Sequence, residues 1–163
     1  TRTIFNLIGP LTNPANTKRQ LLGVYEKKWV KIHCETLKEL GSDRVLVVHG
    51  NDGLDEISLS GNTFVAELKN KKIKEFVFDP KEYGYDYINN SEIQGKDPEY
   101  NAKQFIQMIN GLNKPFQHIV EINAGAAIYL AGIVENLNEG FKKARYVIEN
   151  KISKEYFERT LLK

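Results

Sequence analysis

Two adjacent carboxylates stand in a glycine-containing loop that could hold a metal ion. Asp55 and Glu56 end the segment 49–56, which directly follows the apolar run at residues 45–48. Such a run is typical of a buried parallel strand, and open α/β sheets bind ligands beyond the carboxyl ends of their strands. Mg²⁺ takes only one or two carboxylates from many proteins and completes its coordination with water and phosphate oxygens. The pair is therefore chemically sufficient for a Mg²⁺ site.

The same spacing also fits a purely structural role. Asp is a frequent helix N-cap, so Asp55 could begin the next element while Glu56 is merely solvated. A second segment bears on this choice. Residues 2–15 combine a short apolar run with a Gly-Pro turn and an Asn-Pro turn, and the strand-like residues 20–25 follow closely.

Four separated motifs together resemble the anthranilate phosphoribosyltransferase family of the tryptophan pathway. They are residues 2–15, the loop at 49–56, residues 57–63 and residues 122–127, and they come in the same order as in that family. The resemblance covers nearly the whole chain. It implies an enzyme that transfers a phosphoribosyl group from phosphoribosyl pyrophosphate to anthranilate, giving phosphoribosyl anthranilate and pyrophosphate.

The resemblance also implies roles for individual residues. Asp55 and Glu56 would ligate the Mg²⁺ that accompanies the pyrophosphate, and Gly9 with Pro10 would line the entry path of anthranilate. For Arg2, in the same motif as Asn6, structural hydrogen bonds at a helix start are favoured over a catalytic role. No catalytic residue is assigned to this chain.

The start of the chain suggests a portion of a longer enzyme. Thr1 stands in the middle of a motif, and the chain has no Gly-Thr-Gly-Gly-Asp loop of the kind with which the family cradles phosphoribosyl pyrophosphate. We therefore expect residues 1–163 to form one incomplete α/β domain. The family's helical domain, through which it forms homodimers, would precede Thr1. The isolated portion is expected to be inactive, and monomeric or weakly associated.

Two other functions stay open at this point. Pyrimidine nucleoside phosphorylases share the pattern Arg-Thr-x-x-Asn-x-x-Gly-Pro-Leu-x-Asn-Pro of residues 2–14, but they do not depend on a paired-acid metal loop. A nucleic-acid-binding paralogue without enzymatic activity would carry a concentrated basic face. The net charge of +2 argues against it. The densest basic run, residues 69–74, is flanked by Glu67 and Glu75 and predicts a solvated hairpin.

Composition is that of an ordinary globular domain. The 163 residues are 41% hydrophobic and 27% charged, which suffices for a core. The single cysteine, Cys34, cannot form an intramolecular disulfide, and no apolar run approaches the ~18 residues of a membrane helix. We expect a cytoplasmic protein with neither membrane nor nucleic acid as a partner. His33, expected on an exposed helix face, and His118 lack metal-ligand spacing, so zinc is not expected.

The elements that must position the loop alternate between strands and helices. A strand, a helix and a second strand are predicted over residues 20–25, 29–40 and 44–49. They form a right-handed βαβ unit whose parallel strands both point their carboxyl ends at Asp55. His49, at the end of the second strand, is expected to bond to backbone. Runs at 63–68 and 73–78 predict an antiparallel hairpin. The fold class is α/β, with a mixed, mainly parallel sheet flanked by helices, of the type that forms the large domain of nucleoside phosphorylases and phosphoribosyltransferases.

The rest of the chain is predicted to be a long ordered loop followed by helices. The loop covers residues 80–98 and carries Tyr83, Tyr85 and Tyr87, which are expected to cover the sheet edge rather than to bind a ring substrate. The predicted helices cover residues 101–112, a stretch after an N-cap at Asn123, residues 141–148 and residues 152–162. The small residues at 124–132 predict tight helix-to-sheet packing rather than ligand contact.

Overall fold

The structure is a computed structural model that describes residues 5–161. These residues group into two compact units, the first ending at Gly84 and the second beginning at Tyr85. Arg2 and the side chain of Asn6 lie outside the described residues. Within residues 5–161, no helix has both the length and the apolar character that crossing a membrane requires.

The first unit consists of a four-stranded sheet and one long helix. Its elements are α1 (Phe5–Ile8), β1 (Arg19–Gly23), α2 (Lys28–Glu39), β2 (Arg44–Gly50), β3 (Thr63–Lys69) and β4 (Lys72–Phe78), with 3-10 turns at Gly9–Leu11 and Pro80–Tyr83. The strand order is β1-β2-β3-β4. β1 runs parallel to β2, as predicted for a strand, helix and strand in succession. β3 runs antiparallel to both β2 and β4.

The mixed α/β fold is therefore confirmed, but the balance of strand directions differs from the prediction. One of the three pairings in the described sheet is parallel and two are antiparallel. The reason is that a loop without a crossover helix joins β2 to β3, so the chain returns at the same edge of the sheet and must reverse. In this part of the chain the sheet is mixed without being mainly parallel.

The predicted hairpin is confirmed, and its turn explains its register. Lys69 pairs with Lys72, which leaves a two-residue turn. Asn70 and Lys71 both adopt positive φ, 53° and 61°. Two-residue turns of this hand match the natural twist of the flanking strands.

The core of the first unit lies between α2 and the sheet. Cys34 is fully buried in it, next to Val45 and Ala66. Burial raises the pKa of the Cys34 thiol to about 12, so the side chain stays protonated and apolar at neutral pH. The exposed placement predicted for His33 is wrong. His33 is buried, with ring nitrogens 3.1 Å from the carbonyl oxygens of Trp29 and Leu7, because the segment around α1 covers this side of the helix.

The second unit is helical. After a 3-10 turn at Asn90–Glu92, its helices are α3 (Pro98–Ile109), α4 (Lys114–Leu130), α5 (Leu137–Glu149) and α6 (Ile152–Leu161). The N-cap predicted at Asn123 is wrong. Asn113 caps α4, accepting a hydrogen bond from the Phe116 amide at 3.1 Å. Pro115 lies in the first turn, where its missing N–H costs no hydrogen bond. Asn123 lies inside the helix and donates to the Ile119 carbonyl.

Small residues let α4 and α5 approach closely. A side chain at Gly140 would collide with the carbonyl group of Gly125, and a Cβ at Gly125 would lie 2.7 Å from the Phe141 amide nitrogen. The tight packing predicted for residues 124–132 is therefore present, but it joins two helices rather than a helix and the sheet.

A buried carboxylate anchors the second unit. Glu121 is fully buried and accepts hydrogen bonds from Gln117 at 2.7 Å, Arg145 at 3.1 Å and the Tyr85 hydroxyl at 3.3 Å. Burial, and then the charge of Glu121, raises the pKa of Tyr85 to about 12, so its hydroxyl remains a donor at neutral pH. Tyr83 instead stacks on Phe78 of the edge strand, with ring centroids 4.8 Å apart. Of the loop tyrosines, Tyr83 thus covers the sheet edge as predicted, whereas Tyr85 packs among helices.

Candidate metal site at the carboxyl end of the sheet

The loop that carries the paired carboxylates begins and ends at one edge of the sheet. Gly50, the last residue of β2, pairs with Thr63, the first residue of β3. Gly23, the last residue of β1, lies against the loop, because a Cβ at this position would collide with the backbone carbonyl of Asp55. The loop therefore sits where both parallel strands end, as the sequence predicts and as ligand sites of open α/β sheets require.

Backbone hydrogen bonds shape the first half of the loop into a tight turn. The Gly50 amide donates to the Leu54 carbonyl at 2.8 Å, and the Gly53 amide donates to the Gly50 carbonyl at 2.9 Å. Gly53 has φ of 93°, a conformation that side chains rarely tolerate. The Asn51 amide donates to the Asn62 carbonyl at 2.8 Å and ties the two ends of the loop together. Asp55 therefore follows a fixed turn.

A third carboxylate of the loop, Asp52, was not singled out in the sequence. Its Oδ2 accepts a hydrogen bond from the Ser58 hydroxyl at 2.7 Å, and its Oδ1 accepts from the Leu54 amide at 3.3 Å. The second bond is the short-range pattern in which Asp bonds the backbone two residues on. An Asp next to glycine in a loop is the feature that could have identified this role.

Asp55 and Glu56 lie next to each other with their side chains exposed. Within the described residues, neither carboxylate takes part in a hydrogen bond or an ion pair. Although Glu56 reaches solvent, desolvation raises its pKa, and the negative charge of Asp55 raises it further. Because the two adjacent negative charges repel each other, a cation bound beside them would lower their electrostatic energy.

The capping role considered for Asp55 is not observed. The next element after Asp55 is β3, which starts at Thr63, and no described helix begins in the loop. His49 behaves as predicted, with its Nδ1 2.8 Å from the carbonyl oxygen of Val24. The strand-end histidine is therefore bonded to backbone.

The donor set fits an ion that is shared with a substrate. Among residues 5–161, no group of three or more Cys, His, Asp or Glu side chains is arranged to hold a metal. A closed structural site needs about four protein ligands. Mg²⁺, in contrast, is held by one or two carboxylates when phosphate oxygens and water complete its octahedron. Asp55 and Glu56 can supply that share.

Gly9 and Pro10 form a surface turn in the first unit. They begin the 3-10 turn Gly9–Leu11, and a side chain at Gly9 would meet open space. No hydrogen bond or ion pair in the described part of the chain joins them to Asp55 or Glu56. Their contact with anthranilate stays a prediction.

The sequence of this chain matches a known protein family over most of its length. A profile of the family described as "Glycosyl transferase family, a/b domain" matches residues 1–151. The chain therefore belongs to this glycosyl transferase family.

Three similar proteins are anthranilate phosphoribosyltransferases. An anthranilate phosphoribosyltransferase from Thermoanaerobacter sp. strain X514 is 46% identical over 149 residues, which are 91% of this chain and 44% of that relative. The crystal structure of anthranilate phosphoribosyltransferase from Thermus thermophilus matches with a TM-score of 0.87 and 37% identity, over 98% of this chain and 47% of that one.

A third relative was solved with ligands. Anthranilate phosphoribosyltransferase from Saccharomyces cerevisiae in complex with phosphoribosyl pyrophosphate and Mg matches with a TM-score of 0.79 and 26% identity, over 93% of this chain and 44% of that one. The resemblance predicted from the four motifs is thus confirmed. The chain spans less than half the length of these relatives.

Proposed function

We propose that this chain contributes the magnesium loop to a phosphoribosyltransferase that joins phosphoribosyl pyrophosphate to anthranilate and releases pyrophosphate. The observation that supports this most is the pair Asp55 and Glu56, exposed and unpaired where two parallel strands end. The Saccharomyces cerevisiae relative binds both phosphoribosyl pyrophosphate and Mg. Gly9 and Pro10 are proposed to line the path by which anthranilate enters.

The reaction explains why so few protein groups suffice. Breaking the bond between C1 of the ribose and the pyrophosphate oxygen leaves an electron-poor sugar and a leaving group of high negative charge. Bound Mg²⁺ neutralises part of that developing charge. Asp55 and Glu56 would hold this ion at the carboxyl end of the sheet. The aromatic amine of anthranilate is neutral at pH 7, so positioning it near C1 matters more than removing a proton from it.

We also infer the domain organisation, the oligomeric state and the cellular location of the enzyme. The share of about 44% of the Thermoanaerobacter relative that this chain matches supports residues 1–163 as part of a larger α/β domain. A homodimer formed through a helical domain elsewhere in the protein, and a cytoplasmic location, complete the proposal.

A chimaeric enzyme tests this function. In it, residues of this chain replace the matching 149-residue segment of the Thermoanaerobacter relative, and the unmodified relative is the control. We expect the chimaeric enzyme to consume anthranilate, followed by its fluorescence, only when phosphoribosyl pyrophosphate and Mg²⁺ are both present. Phosphate-dependent cleavage of a pyrimidine nucleoside without anthranilate consumption would instead identify a nucleoside phosphorylase. Anthranilate consumption that persists in excess EDTA would contradict the magnesium loop.

A further inference from the structure

We propose that Asp52 is a positioning residue of the magnesium loop, which fixes the direction of Asp55 and Glu56 without touching the ion. This inference rests on the proposed function. It deepens that function by assigning the third carboxylate of the loop a task distinct from that of the other two.

The hydrogen bonds of Asp52 enclose the acid pair. Its Oδ1 accepts from the amide of Leu54, directly before the pair, and its Oδ2 accepts from the hydroxyl of Ser58, two residues after it. One carboxylate therefore connects the chain on both sides of Asp55 and Glu56. Each of its two oxygens accepts a hydrogen bond from within the loop, which turns the carboxylate of Asp52 toward the loop backbone and Ser58.

Ser58 connects Asp52 to the sheet through a hydrogen bond to the first residue of β3. It is fully buried, and its amide donates to the hydroxyl oxygen of Thr63, the first residue of β3, at 2.9 Å. Its own hydroxyl oxygen also accepts a hydrogen bond from the Ser60 amide at 2.9 Å. The carboxylate of Asp52 is thereby anchored to a strand rather than to mobile side chains.

The sequence leaves room for this arrangement at Gly50. A Cβ there would collide with Oδ1 of Asp52 and would lie 3.0 Å from the Cβ of Ser58. The missing side chain lets the carboxylate of Asp52 lie directly against the end of β2. Gly50, Asp52 and Ser58 therefore pack closely together at the end of β2.

The hydrogen bonds that fix the loop backbone matter because the negative charges of Asp55 and Glu56 repel each other. Both carboxylates are exposed and adjacent in sequence, so without a cation their like charges favour conformations in which the two side chains turn apart. A frame that holds their backbone reduces the ordering needed when the ion binds. Partners that orient metal ligands typically change metal affinity by about 10–100-fold when they are removed.

Mn²⁺ binding to the chimaeric enzyme, with phosphoribosyl pyrophosphate present and anthranilate left out, tests the inference without any catalytic assay. Bound Mn²⁺ broadens the amide NMR signals of nearby residues, so titration gives both its position and its Kd. We expect Asp52→Ala to raise the Kd at Asp55 and Glu56 by about 10-fold or more. The matched control is Asp79→Ala, which also removes a carboxylate that accepts a backbone amide, that of Lys81 at 2.9 Å, in the same unit. It should change the Kd by less than about twofold.

Two further variants separate positioning from general stability. Ser58→Ala should raise the Kd as Asp52→Ala does, and the double variant should be no worse than Asp52→Ala alone, because both remove the same connection. Asp52→Asn keeps an acceptor for the Leu54 amide and should give an intermediate Kd. It also replaces Asp52→Ala as the test if the alanine variant loses its dispersed NMR spectrum.

The outcomes distinguish this inference from the proposed function. If Mn²⁺ broadens the signals of Asp55 and Glu56 in the unsubstituted chimaeric enzyme but all three single loop variants bind it with a Kd within twofold, the positioning role alone is overturned. If Mn²⁺ broadens no signal near this pair in the unsubstituted chimaeric enzyme with phosphoribosyl pyrophosphate bound, the magnesium loop itself fails and the positioning role fails with it.

Discussion

Replacing Asp55 by Asn together with Glu56 by Gln lowers the magnesium-dependent rate of the chimaeric enzyme by about 10³-fold. The expectation follows from the charge that must be neutralised on pyrophosphate. Metal ions stabilise such transition states by several kcal/mol, and about 4 kcal/mol corresponds to about 10³-fold in rate. The substitutions keep the shape of both side chains. Steady-state kinetics should therefore show a lower kcat and a higher KM for phosphoribosyl pyrophosphate together.

The fold should survive this double substitution. Both side chains are exposed, and among the described residues neither takes part in a hydrogen bond or ion pair. A matched control replaces Asp79 by Asn and Glu82 by Gln, two carboxylates that lie outside the loop in the same unit, and should leave the rate unchanged. Full activity of the Asp55 and Glu56 double variant would remove the site assignment and leave the family membership untouched.

Gly23→Ala should destabilise the first unit by about 1–2 kcal/mol. Its Cβ would collide with the carbonyl group of Asp55, and a backbone group cannot rotate away as a flexible side chain can. Overpacking of this kind typically costs about 1–3 kcal/mol. The smaller entropy of the unfolded alanine chain returns only about 0.4–1 kcal/mol. The fluorescence of Trp29, the single tryptophan of the chain, follows urea unfolding of this unit.

Gly61→Ala is the matched control for this experiment. Gly61 belongs to the loop between β2 and β3 that carries Asp55. A Cβ at Gly61 would meet nothing within 4 Å, and the φ of this residue lies outside the left-handed region. We expect its stability to stay within about 0.5 kcal/mol of the unsubstituted chain. Equal stabilities for the Gly23 and Gly61 variants would show that the loop does not press on the end of β1.

Local patterns were sufficient to predict the elements that support the site. The apolar run at 45–48, the amphipathic residues around Cys34 and the turn at Asn70 each depend on neighbours in sequence, and the structure confirms the parallel pair and the hairpin that they predict. Asp55 and Glu56 follow from the same reasoning, because a loop after a parallel strand must lie at the carboxyl edge of the sheet.

The features that were missed depend on contacts between segments distant in sequence. His33 is polar and lies on a helix, and only the backbone around Leu7 shows that it is covered. The close approach of Gly23 to Asp55 joins the end of β1 to a loop that is distant in sequence. The direction of β3 depended on the connection from β2, which contains no periodic pattern. α4 begins well before the predicted N-cap at Asn123, because Asn113 caps it and Pro115 lies in its first turn, where proline is favoured.

The position of Mn²⁺ in crystals of the chimaeric enzyme with phosphoribosyl pyrophosphate tests the central claim most directly. Anomalous scattering locates the ion independently of any assay. We predict a peak about 2.1 Å from an oxygen of Asp55 or Glu56, shared with the pyrophosphate of the donor. A donor-bound ion with neither carboxylate among its ligands would contradict the account.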